Sequence, residues 1–354
     1  MSKSNGVFLA IATLIMSVVI WGNPVTHLIT AFSPPEPIAQ TETTRAIETT
    51  IDLSELDLSA DEQQLMGYVT ALGQPRFTPE QKDTARQYIS EQLISYGLTP
   101  QTQPYESADG KTRGVNIIAE LPGSDLAAGS IVLGAHYDTV EGSPGADDNG
   151  SAIATLLEAA RLFSEQVFSL ETPPPRTLKL VFFDQEEHQA EVDTGLLGSI
   201  AFTKSARYMA GVKGAVILDM VGYACRTPGC QNYPSRLPLP DVPDTGDFLA
   251  VLGLKAHTEL LSAFMRSGET TWPLLLSLPI PEPSLRIFPD LLRSDHAPFW
   301  TNGIPAVFVT DTANFRNPNY HTASDTVDTL DPSFFRGSAQ HVINAIATLL
   351  VNQA

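Results

Sequence analysis

Short apolar segments alternate with helical patterns along most of this chain, and that alternation limits the possible folds more than any other feature. A strand and helix order of this kind is typical of a mainly parallel sheet whose two faces are both covered by helices. We predict strands at 114–121, 130–135, 178–183, 214–218, 248–254, 274–278 and 306–309, and helices at 60–72, 79–96, 149–163, 198–208 and 334–351. The sequence therefore predicts an α/β fold, a three-layer sandwich around a mainly parallel, mixed central sheet.

The composition favours one globular domain over residues 53–354. The 354 residues are 43% hydrophobic and 17% charged, which is enough apolar material for a buried core. The formal net charge is −19, and no cluster of Lys and Arg interrupts the acidity. Because a chain of this charge repels polyanions, the composition argues against nucleic acid as a partner.

The first residues differ in kind from the rest of the chain. Lys3 precedes an uncharged, mostly apolar stretch over residues 7–21, long enough for a signal-peptide core but short of the roughly 20 residues that span a membrane. No clear small-residue cleavage site follows, so residues 1–32 are interpreted either as a cleaved signal peptide or as a retained N-terminal anchor. Residues 33–52 have the composition of a flexible linker. We expect export to the periplasm or the cell exterior, with a membrane tether if the anchor is retained.

Polar residues with metal-binding side chains follow the second predicted strand. His136 and Asp138 stand at its end, where the strands of a parallel sheet open onto a ligand crevice. Asp147 and Asp148 come next, directly before a predicted helix. A single acid in that position commonly caps the helix, but two exceed what a cap needs. One carboxylate can cap or orient while the other bridges two cations.

Later strand ends carry further residues of the same chemistry. Glu186 and Glu187 follow one strand, Asp219 ends the next, and His321 stands near the C-terminus. Paired glutamates have a chemical use, because one can coordinate a metal while its neighbour accepts a proton from the water that the metal activates. The repetition of such residues at successive strand ends indicates a metal centre rather than scattered surface acids.

The residues above belong to short motifs that follow one another along the chain. The motifs are His136-Tyr137-Asp138, Gly145-Ala146-Asp147-Asp148, Glu186-Glu187, Gly195-Leu196-Leu197-Gly198-Ser199, Leu218-Asp219-Met220, Ser294-Asp295-His296 and Tyr320-His321-Thr322. In their order and context these motifs resemble the di-zinc exopeptidases, the family that contains bacterial leucyl aminopeptidases, aminopeptidase Y, glutamate carboxypeptidase and glutaminyl cyclase. The resemblance extends from about residue 53 to the C-terminus and implies the three-layer zinc exopeptidase fold.

Transferred position by position, the resemblance implies two zinc ions with five protein ligands. Asp148 is then the carboxylate that bridges both ions. Glu187 and His321 complete one metal site, while His136 and Asp219 complete the other. Three protein ligands on each zinc leave room for a shared water molecule.

The resemblance also implies two residues that act beside the metal ligands. Glu186 is expected to be the general base, and Asp138 the carboxylate that fixes the tautomer of His136. Asp147 could be mistaken for the bridging ligand, but the family pattern favours Asp148. His296 is expected to support the pocket through hydrogen bonds.

Two local features bear on the loops around this centre. Residues 188–194 separate the glutamate pair from the Gly-Leu-Leu-Gly-Ser motif, a departure from the family pattern in which we expect His188 to be an exposed loop residue rather than a ligand. Cys225 and Cys230 are the only cysteines, and in an oxidising compartment we expect a disulfide that closes the loop after Asp219. Free thiols and a cysteine metal site are the alternatives.

The resemblance implies an aminopeptidase, a hydrolase that removes N-terminal residues from peptides with a water activated by two co-catalytic zinc ions. A glutaminyl-peptide cyclotransferase is the first alternative, since it resembles a one-zinc version of the same site. A non-catalytic binding protein on the same scaffold, as in the transferrin-receptor relatives, is the second. The presence of Glu186, Glu187 and every implied ligand favours the peptidase.

Overall fold

The computed structural model describes residues 56–188, 194–234, 242–267 and 272–351. The predictions for the N-terminal segment, for the linker up to residue 52 and for most of the 188–194 insertion fall outside these residues. Across the part of the chain that is described, no helix has the length and apolar character needed to cross a membrane.

The described residues form one mixed sheet of eight strands, in the order β1-β2-β4-β3-β5-β8-β6-β7. Parallel pairing joins β3 to β4 and β5, β5 to β8, and β6 to β7, while β1–β2, β2–β4 and β6–β8 are antiparallel. The predicted fold class is confirmed. The strands are β1 Gln101–Glu106, β2 Arg113–Leu121, β3 Ser130–His136, β4 Thr177–Phe183, β5 Val212–Leu218, β6 Phe248–Leu254, β7 Leu274–Ile280 and β8 Ala306–Thr310.

Helices cover both faces of the sheet, because neighbouring strand residues alternate between two apolar clusters. In β3, Ile131 and Leu133 pack into the larger cluster with α1, α2, α3, α6 and α8, whereas Val132 packs into the smaller one with α4 and α7. The helices are α1 Glu62–Ala71, α2 Pro79–Ser95, α3 Ala152–Leu162, α4 Leu197–Thr203, α5 Ala206–Met209, α6 Thr258–Ser267, α7 Ala297–Thr301 and α8 Pro332–Val351.

Local sequence explains where several helices begin and end. The side chain of Thr78 accepts the backbone N–H of Gln81 in a capping box, and Pro79 occupies the first turn of α2. The helix predicted at 198–208 is instead two helices, because Ser205 caps a new start at α5. The helix predicted from residue 149 begins only at Ala152, after an irregular turn over Ala146–Ser151.

Candidate metal centre

The carboxyl ends of three neighbouring parallel strands bring the predicted site residues together. β3 lies between β4 and β5, so its last residue, His136, stands beside the segments that follow the other two. Glu186 and Glu187 follow β4, and Asp219 directly follows β5. Asp148 enters from the turn before α3 and His321 from the segment after β8. We call these five segments, residues 136–138, 146–148, 184–187, 219–220 and 320–321, the ligand loops.

Six side chains of the ligand loops form two groups that could each hold a metal ion. Within each group the potential ligand atoms all lie within 4.8 Å of one another. The first group contains His136, Glu186 and Asp219, and the second contains Asp148, Glu187 and His321.

The Asp148 carboxylate lies between the two groups. One of its oxygens is 3.5 Å from Nε2 of His136, and the other is 3.2 Å from Nε2 of His321. The remaining partners complete each side: Asp219 is 3.6 Å from Nε2 of His136, and Glu187 is 3.1 Å from Nε2 of His321. A carboxylate in this place can contribute one oxygen to each of two cations.

These donors fit a pair of zinc ions. Imidazole nitrogen and carboxylate oxygen are ligands that zinc takes in proteins, and two atoms each about 2.1 Å from one tetrahedral zinc ion lie about 3.4 Å apart. The observed separations of 3.1–3.6 Å are close to that value. Nε2 of His136 is buried and has no hydrogen-bond partner among the described residues, so a buried donor atom points into the first group.

The titration behaviour of the groups also fits a cation. Burial raises the pKa of Asp148 to about 7, with Glu187 adding to the rise. Burial opposes the charging of His321, but hydrogen bonds to Asp148 and Glu187 outweigh it and raise its pKa to about 10. Burial likewise opposes a charge on His136, yet the surrounding carboxylates, Glu186 foremost, raise its pKa well above the usual value. A divalent cation would supply the positive charge that the carboxylates otherwise draw from protons.

Asp138 supports both a histidine and the glutamate pair. Its carboxylate is 3.5 Å from Nδ1 of His136, and its backbone carbonyl oxygen is 3.2 Å from the same atom. Its two carboxylate oxygens accept the backbone N–H groups of Glu186 at 3.0 Å and Glu187 at 3.2 Å. One buried side chain therefore positions residues of two ligand loops.

Backbone strain marks the ligand loops. Gln185, Met220 and His321 are non-glycine residues with φ of 59°, 55° and 59°, in the left-handed region. Each lies within one residue of a potential ligand or is one. Residues are held in such conformations where the surrounding structure overrides their preference, which is common at functional sites.

Three other residues considered in the sequence analysis lie outside the two groups. The Asp147 carboxylate accepts hydrogen bonds from the Gly222 backbone N–H and from Asn317, both at 2.9 Å, and is not a member of either group. His188 is exposed, as expected. His296 Nε2 lies 2.9 Å from the Leu291 carbonyl oxygen, and its ring stacks on Phe308, as predicted for a supporting residue.

The predicted disulfide between Cys225 and Cys230 is confirmed. Cys225 also pairs with Gly246 in an isolated antiparallel bridge, which ties the loop back to the residues before β6. Gln231, Asn232 and Tyr233 follow the disulfide directly and line the cavity beside the two groups. The disulfide therefore shapes one side of that cavity.

A cavity of about 340 Å³ opens next to the two groups. Part of its lining is an apolar surface that we call the cavity wall. The cavity wall consists of Phe248, Ala250, Leu252, Leu276, Leu278 and Phe308, on strands β6, β7 and β8.

Two polar residues that the sequence interpretation gave no role also line the cavity. The Tyr320 ring stacks on the His321 ring, with centroids 3.7 Å apart. Arg293 donates a hydrogen bond of 3.1 Å to the Tyr320 hydroxyl and another of 2.9 Å to Asn314. The Tyr-His and Arg-Ser-Asp-His sequences were a usable signal, because each places one of these residues directly beside a family motif.

Two proteins of known sequence are similar to this chain over much of its length. The chain is 32% identical over 304 residues to the Escherichia coli protein YfbL, whose function is uncharacterised, a match that covers 82% of this chain and 87% of YfbL. It is 29% identical over 224 residues to leucine aminopeptidase 1 of Emericella nidulans, covering 61% of this chain and 50% of the fungal protein. The match thus spans about half the length of that aminopeptidase.

Solved structures share the fold. A zinc aminopeptidase from Bacillus subtilis superposes with a TM-score of 0.64 at 16% identity, covering 84% of this chain and 97% of its own. A glutaminyl cyclase from Porphyromonas gingivalis superposes with a TM-score of 0.57 at 22% identity, covering 82% and 99%. At these identities the likeness establishes the fold.

The family itself follows from the sequence model of peptidase family M28, which matches residues 116–239 and 281–346. The matched ranges contain all six residues of the two groups. The chain therefore belongs to peptidase family M28.

Proposed function

We propose that this protein is an aminopeptidase that uses two zinc ions to hydrolyse the first peptide bond of its substrates. The observation that carries the proposal is the place of the Asp148 carboxylate, with one oxygen toward His136 and the other toward His321. A carboxylate between two sets of zinc ligands can hold two ions close together, as two-metal hydrolysis requires.

The proposed ligands are those that the family resemblance implies. Asp148 would bridge the two ions, His136 and Asp219 would complete one site, and Glu187 and His321 the other. When bound, the two zinc ions would lower the pKa of a water molecule and polarise the carbonyl group of the scissile bond.

Glu186 is the proposed general base. Its carboxylate reaches within 3.9 Å of His136 Nε2, so it faces the same space as the ligands. Burial raises its pKa well above the usual value, which favours the acceptance of a proton. Glu186 would take a proton from the attacking water and pass it to the leaving amine nitrogen.

Tyr320 is the proposed donor to the oxygen that becomes negative during attack. Arg293 donates to the Tyr320 hydroxyl, so the hydroxyl proton is left to point into the cavity. A preorganised donor of this kind stabilises developing negative charge. The ring is held in place by stacking on His321.

Among the described residues, the lining of the cavity offers a substrate carboxylate no unengaged Arg or Lys. Arg293 is the one such residue described in the lining, and its guanidinium already bonds to Asn314 and Tyr320. Most acidic residues of the lining are the proposed zinc ligands, whose charge the ions would neutralise. We therefore propose that the amino end of the substrate, not its carboxylate end, lies in this cavity. The apolar cavity wall supports a preference for N-terminal residues with large apolar side chains.

The proposal is tested by zinc stoichiometry together with a panel of aminoacyl chromogenic substrates, each with and without chelator. We expect two zinc ions per chain, release from leucyl and phenylalanyl substrates, and loss of activity with chelator. The E186Q variant should keep both zinc ions and lose about 100-fold or more in kcat. E141Q, a change at an exposed glutamate, is the matched control. Full activity in zinc-loaded E186Q would exclude the proposed base.

The glutaminyl-peptide cyclotransferase remains the alternative enzyme, and the same preparation tests it. A cyclase would hold one zinc ion and convert N-terminal glutamine to pyroglutamate without releasing an amino acid. Two sets of potential ligands are present, with His136 and Asp219 in one and Glu187 and His321 in the other, which supports two ions and hydrolysis. A binding protein without activity would leave both assays negative.

We also propose that the protein acts outside the cytoplasm. The Cys225–Cys230 disulfide supports an oxidising compartment, and the apolar stretch at residues 7–21 supports export. Cell fractionation with mass measurement of the mature chain tests this, and distinguishes cleavage from anchoring. A full-length chain in the cytoplasmic fraction would contradict export.

A further inference from the structure

The turn that carries Asp148 cannot hold its own conformation through helical hydrogen bonds. Asp148 has φ −100° and ψ 88°, and Asn149 has φ −126° and ψ 36°, so both lie outside the helical region just before α3. The place of the Asp148 carboxylate therefore depends on contacts from other parts of the chain.

Asp325 supplies those contacts from the C-terminal side. Its carboxylate oxygens accept the backbone N–H of Asp147 and the backbone N–H of Asp148, each at 3.0 Å. Its own carbonyl oxygen accepts the N–H of Ala146 at 3.1 Å. Three consecutive amides of the turn are thus bound by one fully buried residue. Hydrogen bonds to an ionised carboxylate are stronger than those between neutral groups.

Arg76 binds backbone carbonyl oxygens just before the same turn. Its guanidinium donates to the carbonyl oxygens of Pro144 at 2.8 Å and Gly145 at 2.9 Å, and also to that of Tyr137 at 2.7 Å. A Cβ atom added to Gly145 would come within 2.7 Å of the Arg76 guanidinium, which shows how closely the two approach. The buried positive charge of Arg76 compensates the buried charge of Asp325 across the turn.

Asp325 also connects the turn to the second group of ligands. It lies four residues after His321, and its backbone N–H is bonded to the Thr322 carbonyl oxygen at 3.2 Å. One short segment therefore carries a potential ligand and the anchor of the residue that bridges both groups.

We infer that Asp325 is a positioning residue that sets where the Asp148 carboxylate lies relative to His136 and His321, and thereby controls the affinity of both zinc sites. The inference rests on the proposed function. It differs from a purely structural role in one respect: its loss should weaken metal binding in a protein that is still folded.

The experiment compares zinc affinities of the full chain and its D325N variant by competition with a chromophoric chelator, after circular dichroism has established folding. The D325N change removes the negative charge and replaces one acceptor oxygen with an NH₂ group. That NH₂ group would face a backbone N–H, so one of the two hydrogen bonds would be lost. We expect zinc binding at both sites to weaken by about 10-fold to 100-fold, the range seen for residues that orient metal ligands. D328N removes the same charge from an exposed residue three positions later and should bind zinc like the unchanged protein.

Two zinc ions bound by D325N with unchanged affinity would overturn the inference while leaving the proposed function intact. Fewer than two ions in the unchanged protein would instead contradict the proposed function. If D325N does not fold, D325E decides, because its longer side chain keeps the charge but displaces the carboxylate from the two amides. Unchanged affinities in folded D325E, or failure of both variants to fold, would count against a positioning role.

Discussion

Two regions of the molecule line the cavity, the ligand loops and the cavity wall. In the ligand loops, His136, Asp138 and Asp148 are almost fully buried and are fixed by directional contacts from distant segments. In the cavity wall, Leu252 and Leu278 are only partly buried and pack against the smaller apolar cluster. Directional bonds tolerate little displacement, whereas apolar contacts tolerate changes of shape. We therefore expect changes in the ligand loops to affect metal binding and catalysis, and changes in the cavity wall to affect the choice of substrate.

The largest effect is expected from the residue on which both groups depend. D148N removes the charge that faces both histidines, so we expect the zinc content to fall below two and activity to fall by more than about 1,000-fold. Metal analysis and kcat/KM on a leucyl substrate measure this. A variant that retained two ions and full activity would show that the ligand loops do not need this bridge.

A smaller effect is expected at the boundary between the two regions. Y320F removes the hydroxyl that Arg293 orients but keeps the ring that stacks on His321. We expect kcat to fall about 100-fold with little change in KM and none in zinc content, because the lost hydrogen bond acts on the transition state. Steady-state kinetics and metal analysis check this, and an unchanged kcat would remove Tyr320 from the mechanism.

The cavity wall should affect substrate choice without affecting metal. L276A shortens one apolar side chain of the wall, so we expect kcat/KM for a leucyl substrate to fall about 10-fold relative to an alanyl substrate. The ratio of the two kcat/KM values is the measurement. L126A, at a leucine with 89% exposure, is the control and should leave the ratio unchanged. A change in zinc affinity in L276A would contradict the separation of the two regions.

The smallest effect lies outside both regions, at the start of α8. Burial tends to raise the pKa of Asp331, but hydrogen bonds from Arg226 and from the Phe334 backbone N–H outweigh it and hold the pKa below its usual range. A lowered pKa stabilises the fold above the unfolded-state pKa near 4, and this stability is lost as the pH falls through the folded-state value.

We therefore expect D331N to lower the free energy of unfolding by about 1 kcal/mol at pH 7, with a smaller difference below pH 4. Urea denaturation of both proteins at pH 7 and below pH 4 measures this difference in the free energy of unfolding. A difference that grew toward acid pH would contradict the assignment. Activity of the folded variant should match that of the unchanged protein.

The sequence predicted the sheet and the potential ligands because the two signals coincide. His136, Glu186 and Asp219 each follow an apolar strand that is long enough to recognise, and the parallel order of the strands places their ends together. β1 was missed because it is a largely exposed first strand with Pro104 in it, so it lacks an apolar alternation. α6 was not predicted either, although the apolar spacing of Leu260, Ala263 and Phe264 was a usable signal.

What the sequence could not predict depends on contacts between distant residues. Arg76 reaches carbonyl groups more than 60 residues later, and Asp325 reaches amides 177 and 178 residues earlier. Backbone groups carry no sequence signal, so neither contact leaves a pattern in the chain. The irregular turn before α3 was missed for the same reason, since its conformation is imposed by those contacts.

The Cys225–Cys230 disulfide and the bridge from Cys225 to Gly246 have a consequence for engineering. The disulfide closes the loop after Asp219 on itself, and the bridge ties Cys225 to a residue just before β6; none of these residues belongs to a ligand loop. If the proposed activity holds, we expect that a different segment grafted between Cys230 and Gly246 would alter which peptides enter the cavity and leave the ligand loops unchanged.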